Sequence, residues 1–424
     1  MFTLKFLSIV LFVIMYILMI MKADYRPWIA LGTAVVFMVL RILPLSAVPA
    51  AINWNVLLMI TGTMVVVDFF IASRMPNRIA DVLLEKSKNV MWVTICMSLF
   101  AGVISAFIDN VATVLMVAPV GLAVCEKLEI NPVSMLIAIA VSSNLQGAAT
   151  LVGDTTSIML GAYAGMDFMD FFWMNGRPGI FWAVELGAVM TVPIMMYLFR
   201  DQTQSVDSGD RTEVSNYIPT ILLCGLVLTL ICVSFIPEKP DVTNGLICML
   251  IGVLAIVLDY LKYRDAEHIK RVILNIDYQT LLLLLGLFLV IQGITEAGVI
   301  DDAARLIAGS GSNIFLLYTI IVWASVIFSA FIDNIPYVAT MLPVITRVAT
   351  VLGIQPYLLY FGLLTGATLG GNLTPIGASA NITAVGMLKK MGYDVSFKDF
   401  MRIGIPFTLA AVMSGYVFIW IFWH

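Results

Sequence analysis

The amino-acid sequence predicts an all-α polytopic membrane protein built from two inverted repeats, each with about five transmembrane helices plus a re-entrant hairpin and an unwound helix. Three observations predict this fold class: an apolar composition, an internal repeat and an uneven distribution of basic residues. Of the 424 residues, 61% are hydrophobic and 12% are charged, whereas a soluble domain carries about 25% charged residues. Because so few charges cannot cover a water-facing surface, most of the surface must face the lipid bilayer.

Eight apolar runs are long enough to cross the hydrocarbon core, which takes about 20 residues. They cover residues 5–21, 27–45, 54–72, 179–199, 217–235, 244–261, 280–297 and 403–422. The first run has no basic n-region or small-residue cleavage site, so we interpret it as a retained helix. Two longer apolar stretches, 90–165 and 314–388, are interrupted by Pro, Gly, Asn and Asp, which predicts re-entrant or broken helices.

An internal repeat appears when the sequence is compared with itself at an offset of 224 positions. The register holds without gaps from about residue 52 to residue 153. Residues 105–120 fall on residues 329–344 with nine of sixteen positions identical, including the whole string Ser-Ala-Phe-Ile-Asp-Asn. The chain is therefore a duplicated unit.

Basic residues predict that the two repeats are inverted. Loop 73–89 carries four basic residues and its counterpart 297–313 one, while loop 260–271 carries four and its counterpart 36–47 one. Threading the chain with an inverted second half gives sixteen basic residues on one face and five on the other. By the positive-inside rule the first face is cytoplasmic. We expect a multi-pass protein of the cell (inner or plasma) membrane, with linker 200–216 cytoplasmic and both termini extracytoplasmic.

The chain divides into two repeats and a polar linker. In chain order these are the first repeat 1–199, with a hairpin at about 90–125 and a broken helix at about 133–165, the linker 200–216, and the second repeat 217–424, with a hairpin at about 314–349 and a broken helix at about 357–388. The linker is rich in Ser, Asp and Thr and is expected to be flexible. Two amphipathic pieces, 77–88 and 301–309, are expected at the membrane interface.

Each hairpin turns at an Asp-Asn pair, which is Asp109-Asn110 in the first repeat and Asp333-Asn334 in the second. Asp and Asn favour helix N-caps and turns, so these residues have a structural role. An ionised Asp at membrane depth is also costly and therefore indicates function. Two such pairs at equivalent positions predict an ion or substrate site, with Na⁺ bound at these four residues as one possibility.

The second break in each repeat is a glycine-rich stretch, at 142–157 and 366–381. Unwound helices expose carbonyl groups, and small polar side chains add oxygen and amide groups that suit a cation such as Na⁺, while helix N-termini favour an anion. Close packing of small residues is the structural alternative. The candidate binding residues here are Asn144, Thr150, Gly153, Asp154, Thr155, Gly371, Asn372, Thr374, Gly377, Ser379 and Asn381.

The two halves differ in their ionisable groups. Asp154 aligns with Ala378, and Asp68 aligns with Gln292. Asp68 and Asp154 are therefore candidate proton or cation coupling sites, with a hydrogen bond to a neighbouring helix as the alternative for Asp68. No Lys or Arg falls clearly inside a predicted span, so a fixed positive charge for a large anion is missing. This favours cation coupling, or a neutral or small anionic substrate.

Both hairpins resemble the ion transporter superfamily, within it the branch of arsenite permeases, NhaD-type sodium–proton antiporters and the melanosomal P-protein. The resemblance rests on SAFIDNVATVLMVAP, SAFIDNIPYVATMLP and GGNLTPIGASAN, and it covers nearly the whole chain. It implies two hairpins and two unwound helices around one site, in a unit that moves against a scaffold, usually in a homodimer. Related sodium–dicarboxylate symporters have Ser-Asn-Thr-like hairpin tips, whereas this chain has Asp109-Asn110-Val111 and Asp333-Asn334-Ile335.

The sequence thus predicts a secondary active transporter of small inorganic ions, either of the arsenite or anion type or a sodium–proton antiporter. Coupling to H⁺ or Na⁺ and an elevator-like alternating access are expected, with Asp109 and Asp333 as coupling groups. A sodium-coupled dicarboxylate transporter and an anion channel are the alternatives.

Other function classes lack sequence support. The five cysteines show no metal-ligand spacing, and no nucleophile–base pair or phosphate-binding loop is present, so no enzyme and no resident cofactor are predicted. A net charge of −4 with scattered basic residues argues against nucleic acid as a partner. The expected partners are the bilayer, a small ion and a second copy of the chain.

Overall fold

The computed structural model describes residues 2–205, 212–309 and 313–424, and nearly all of these residues are helical. The first half contains α1 (Phe2–Met21), α2 (Arg26–Val39), α3 (Val48–Ala51), α4 (Trp54–Ala72), α5 (Met75–Lys86), α6 (Val90–Ser105), α7 (Asn110–Lys127), α8 (Val133–Gln146), α9 (Thr155–Ala164) and α10 (Ile180–Leu198). A short antiparallel pair, β1 (Trp173–Met174) and β2 (Arg177–Pro178), precedes α10.

The second half repeats this order. It contains α11 (Ile218–Ser234), α12 (Thr243–Tyr263), α13 (Ala266–Asn275), α14 (Tyr278–Glu296), α15 (Val299–Gly309), α16 (Ile314–Ser329), α17 (Asn334–Leu352), α18 (Tyr357–Leu364), α19 (Ser379–Lys390) and α20 (Phe397–Trp423). Eight of the described helices are long and apolar enough to cross a membrane: α1, α4, α7, α10, α12, α14, α17 and α20.

Five segments of the first half are assigned here as membrane crossings: α1, α2, α4, the broken segment α8–α9 and α10, whereas α6 and α7 pack together as a hairpin. With this assignment each half has an odd number of crossings. An odd number of crossings starts the second half on the opposite face, so the two halves are inverted. The predicted fold class, two inverted repeats each with a hairpin and an unwound helix, is confirmed.

The unwound segments are short and irregular. In the first half a 3₁₀ turn, Gly147–Ala149, separates α8 from α9, and in the second half a π-helical turn, Thr365–Leu369, and a 3₁₀ turn, Gly371–Leu373, separate α18 from α19. Irregular backbone of this kind persists at membrane depth only when it is buried in protein or lines a cavity. Residues 147–149 and 365–372 of these segments are buried in the protein.

The helices pack into two bodies. In the first, here named the scaffold, α2 packs along α14 and α12 along α4, with α1 and α11 beside them. The second, here named the hairpin unit, contains both hairpins, both broken helices, α10 and α20. Within the hairpin unit α7 packs against α19 and α17 against α9, so each hairpin contacts the broken helix of the other repeat.

Two segments differ from the sequence-based expectation. The predicted span 27–45 ends as a helix at Val39, because the chain turns through Arg41, whose φ is 55°, towards Pro44. Residues treated as a loop at 260–271 form most of α13, whose N-cap Asp265 accepts from the backbone N–H of Glu267 and His268. Helix α13 has ten residues and one apolar face, and it is too short to be recognised in the sequence as a membrane-spanning helix.

The described parts of linker 200–216 are held by hydrogen bonds. The backbone N–H groups of Val90 and Met91 donate to the carbonyls of Gln204 and Gln202, both at 3.0 Å, which satisfies donors at the start of α6. Residues 206–211 of the predicted linker lie outside the described residues. The predicted amphipathic pieces are α5 and α15.

Candidate functional site

The hairpin tips are shaped by their aspartates. The carboxylate of Asp109 accepts from the backbone N–H of Val111 at 2.9 Å and of Ala112 at 3.1 Å, and so caps α7. Asp333 caps α17 in the same way by accepting from Ile335 at 3.2 Å. The capping role is therefore real in both hairpins, and it fixes each carboxylate at a helix N-terminus.

Each broken helix is joined to the tip of the hairpin in its own repeat. The Thr150 hydroxyl donates to the carbonyl of Ala106, and the Thr374 hydroxyl donates to the carbonyl of Ala330. These two bonds are equivalent at the offset of 224 positions found in the sequence. Both hydroxyls are thus engaged by the hairpin backbone, and among the predicted site residues they act as structural links.

Gly153 and Gly377 lie where the broken helix crosses the hairpin backbone. A Cβ atom at Gly153 would lie 2.6 Å from the Gly147 carbonyl oxygen and 2.7 Å from that of Ser105, and one at Gly377 would lie 2.7 Å from the Ser329 oxygen. Only glycine allows so close an approach. Gly371 is similar, since its Cβ would lie 2.8 Å from the Gly377 oxygen.

Amide side chains join the two repeats at the centre of the hairpin unit. The Asn144 amide donates to the Thr368 carbonyl at 2.7 Å and to Asn372 Oδ1 at 3.0 Å, and it accepts from Asn110 at 3.0 Å. Asn372 in turn donates to the Val141 carbonyl at 3.0 Å. Asn144 and Thr368 occupy equivalent positions of the two repeats, so the pseudo-twofold axis passes between them.

Asp154 is buried at the start of α9 and is held by both repeats. Its carboxylate accepts from the Thr155 N–H at 2.8 Å, from the Thr156 hydroxyl at 2.7 Å and from the Asn334 amide at 3.3 Å. Asp109 and Asp154 line the same cavity. The structure therefore brings the first hairpin aspartate, the asymmetric Asp154 and the second hairpin asparagine into one site.

Asp333 has a different environment, because it is paired with a basic side chain. Its carboxylate accepts from Arg26 Nη1 at 3.1 Å and from the Ser379 hydroxyl at 2.8 Å. Arg26 and Asp333 are 16% and 3% exposed. Arg26 stands just before the predicted span 27–45, so the sequence did not place it at the site; it opens α2 and reaches Asp333 across 307 positions of sequence.

Asn381 completes the second unwound segment. Its amide donates to the Gly371 and Thr374 carbonyls, both at 3.2 Å. Its equivalent, Ser157, donates to the Gly147 carbonyl at 3.2 Å. Asn381 Oδ1 is buried and has no hydrogen-bond partner among the described residues, so it is an oxygen ligand available to a cation.

A cavity of about 470 Å³ opens beside the first hairpin. Four aspartates line it: Asp68, Asp109, Asp154 and Asp277. Thr155 also lines it, and Asn275 of α13 donates to Asp68 at 3.1 Å. No Lys, Arg or His is among its described lining residues, so the cavity is acidic.

The equivalent space beside the second hairpin is filled. The Tyr16 hydroxyl of α1 donates to the Pro336 carbonyl at 2.7 Å and lies 2.5 Å from the Thr340 hydroxyl. Exposure follows the same asymmetry: Leu115 in the cavity is 52% exposed, whereas its equivalent Ala339 is 0% exposed. The structure thus has one hairpin open and one closed.

Sequence reasoning missed several residues of this site. Arg26 and Tyr16 contact the second hairpin, Asn275 and Asp277 line the cavity, and Thr156 binds Asp154. Asp277 and Thr156 could have been found, since the first lies in the repeat register and the second in the glycine-rich stretch. Arg26 has Leu250 as its repeat equivalent, so no internal symmetry marks it.

Comparisons with known proteins identify what this arrangement is similar to. The family model described as "CitMHS: Citrate transporter" matches residues 16–366. An uncharacterized transporter of Mycobacterium tuberculosis strain H37Rv is 30% identical over 429 residues, which cover 98% of this chain and 97% of that protein. The P protein of Sus scrofa is 26% identical over 490 residues, covering 94% of this chain and 57% of the P protein.

A solved structure has the same fold. The YdaH transporter of Alcanivorax borkumensis matches with a TM-score of 0.58 and 12% sequence identity, covering 95% of this chain and 97% of that chain. At this level of identity the likeness concerns the fold alone. Together with the relatives above, it confirms the predicted membership of the ion transporter superfamily, with P-protein homologues.

Proposed function

The chain belongs to the citrate transporter family, and on that basis we propose that it is a secondary active transporter in which a small cation, H⁺ or Na⁺, drives or exchanges for the transported ion. Membership makes it a membrane transporter, and its relatives are named as transporters rather than enzymes. The proposal concerns the coupling ion and the substrate.

The acidic cavity is the observation that carries this proposal. Four carboxylates converge on it without a basic lining residue, which attracts cations and repels anions. Three of the four helices that start at the site are capped by an aspartate: α7 by Asp109, α9 by Asp154 and α17 by Asp333. These caps offset the positive helix ends that would otherwise attract an anion.

Asp109 and Asp154 are the proposed coupling groups. They share the cavity, and neither has a basic partner among the described contacts, so a mobile cation can supply the missing positive charge. Na⁺ would find further oxygen atoms on the Asn110 and Asn334 amides. Protonation of the same carboxylates is the alternative chemistry, and exchange of the two ions is sodium–proton antiport.

A carboxylate substrate is the second candidate. It is favoured by the family description, which names citrate, and by α19, whose N-cap is Ala378 and not an aspartate. A carboxylate would enter this acidic cavity only together with cations that neutralise it. C4-dicarboxylates are candidates for the same reason. Arsenite, which is not a carboxylate, is a separate candidate among small inorganic substrates.

Flux through the purified protein in proteoliposomes tests the proposal. With an acidic lumen and a pH-sensitive dye, addition of external Na⁺ or Li⁺ is expected to release protons at a rate well above that of empty vesicles. Parallel uptake assays with labelled citrate, a C4-dicarboxylate and arsenite, each with and without Na⁺ at several pH values, test the second candidate. Citrate uptake that is indifferent to both Na⁺ and pH, with no cation exchange, would overturn cation coupling.

We further propose alternating access in which the hairpin unit moves against the scaffold of a homodimer. The one-open, one-closed arrangement of the hairpins supports this, because inverted repeats exchange such environments between two states. Light scattering of the detergent-solubilised protein measures the assembly: a mass of one chain after subtraction of detergent would contradict the dimer.

The membrane orientation gives a separate prediction. Single cysteines at Glu85 on α5 and at Gly309 on α15, which are equivalent positions of the two repeats, are expected to react with an impermeant thiol reagent from opposite sides of the membrane. The positive-inside rule places Glu85 in the cytoplasm and Gly309 outside. Labelling of both sites from intact cells would contradict the inverted arrangement of the loops.

A further inference from the structure

We propose that Arg26 is a built-in counter-cation for Asp333 and that their pairing holds the second hairpin closed. It thereby selects the state in which the first hairpin is open. The inference rests on the proposed alternating access, but its test follows solvent access at two residues and requires no knowledge of the transported ion.

The two hairpin aspartates have opposite partners. Asp109 faces a cavity from which a mobile cation can reach it, whereas Asp333 is buried against a guanidinium that belongs to the chain. A buried carboxylate without a partner is costly, so each aspartate requires a positive charge or a proton. At the second hairpin Arg26 supplies that charge, which leaves Asp109 and Asp154 for the mobile ion.

The pair joins the two bodies of the protein. Arg26 begins α2 in the scaffold, and Asp333 lies at the tip of the hairpin formed by α16 and α17 in the hairpin unit. A further bond lies beside it, from the Tyr16 hydroxyl on α1 to the Pro336 carbonyl on α17. Both contacts must break when the hairpin unit moves along the scaffold.

The offset of 224 positions gives Arg26 no basic counterpart. The last residues of α2 and α12, Val39 and Tyr263, match at that offset, and Arg26 then falls on Leu250, which offers no cation to Asp109. The state shown here therefore has a scaffold-to-hairpin ion pair that the opposite state lacks. A ligand-free protein is biased towards the state with the additional buried contact.

Leu115 and Ala339 are equivalent positions of the two repeats, and their accessibility measures the equilibrium between the state with the first hairpin open and the state with the second hairpin open. Leu115 is 52% exposed and lines the cavity, and Ala339 is its fully buried equivalent. The experiment measures the rate at which a hydrophilic thiol reagent modifies Leu115→Cys and, separately, Ala339→Cys in the purified protein, read at that residue by peptide mass spectrometry. The arginine is then changed to Gln in each background.

Arg26→Gln is expected to raise the labelling rate at Ala339→Cys and to lower that at Leu115→Cys, each by roughly tenfold. Asp333→Asn should act in the same direction. The Arg26→Gln/Asp333→Asn double variant leaves no unpaired buried charge, so it guards against misfolding, and it should show no more than the effect of one single change. Arg26→Lys, which keeps the charge, should stay within about threefold of the parent.

Unchanged labelling rates would contradict the proposal. If the folded double variant labels both reporters at the parent rates, the pair is a static link and the proposal is wrong. Because labelling needs no transport, a protein that fails every flux assay can still support this inference, and an active transporter can still refute it.

Discussion

Asp109→Asn is expected to reduce ion flux through the reconstituted protein by on the order of 100-fold or more. The substitution keeps the side chain's size and an oxygen that can cap α7, but it removes the charge that faces the cavity. Without that charge, neither Na⁺ nor H⁺ can be held beside Asp154 as the proposed coupling requires. Initial rates in proteoliposomes, normalised to inserted protein, measure the effect.

Asp277→Asn is the matched control for this prediction. Asp277 lines the same cavity but is exposed and caps α14, where its carboxylate accepts from the Thr280 N–H at 3.1 Å and from the Thr280 hydroxyl at 2.6 Å. We expect its flux to stay within about threefold of the parent, since asparagine also caps helices. Equal activity of Asp109→Asn and the parent, with both proteins folded, would remove Asp109 from the coupling site.

Gly153→Ala is expected to cause a large loss of stability. The new methyl group would meet three backbone carbonyl oxygens, those of Gly147, Ser105 and Ala106, at 2.6–2.7 Å. Backbone atoms of a hairpin and a broken helix cannot move aside as a flexible side chain does, so the cost should reach about 3 kcal/mol. Thermal unfolding in detergent should show a fall of roughly 5 °C or more in the melting temperature.

Gly386→Ala is the matched control for the packing prediction. Gly386 lies in α19 of the same hairpin unit, and a Cβ there would meet nothing within 4 Å. Alanine is the better helix former by about 1 kcal/mol, so the melting temperature should stay level or rise slightly. If both alanine variants melt together with the parent protein, the broken helix is not packed on the hairpin backbone as described.

The hairpins and broken helices could be predicted from sequence because their signals are local. Polar and helix-breaking residues inside apolar runs are costly in a membrane, so they mark irregular structure wherever they occur. The offset of 224 positions then extended each local signal to its partner, and the equivalent bonds of Thr150 and Thr374 follow that register. Because the two repeats share this register, a feature recognised in one repeat predicted the same feature in the other.

The remaining features could not be predicted, because they depend on how the symmetry is broken. Arg26 contacts Asp333 from 307 positions away, and Leu250 stands at its equivalent position. The cavity lies beside the first hairpin, and its position follows from the relative position of two bodies rather than from any residue pattern. The amphipathic helix α13, which supplies Asn275 to the cavity, was too short to be recognised as more than a loop.

The contact between Asn144 and Thr368 has a geometric consequence. A point on a twofold axis maps onto itself, so exchanging the two repeats turns this pair into the same pair with its partners reversed. In the proposed transport cycle, the spacing of the two backbones at this pair, joined here by a 2.7 Å bond from Asn144 Nδ2 to the Thr368 carbonyl oxygen, is therefore expected to stay constant while the surroundings of both hairpin tips interchange. Spectroscopic probes placed beside it would provide a fixed origin from which displacement of the scaffold can be measured.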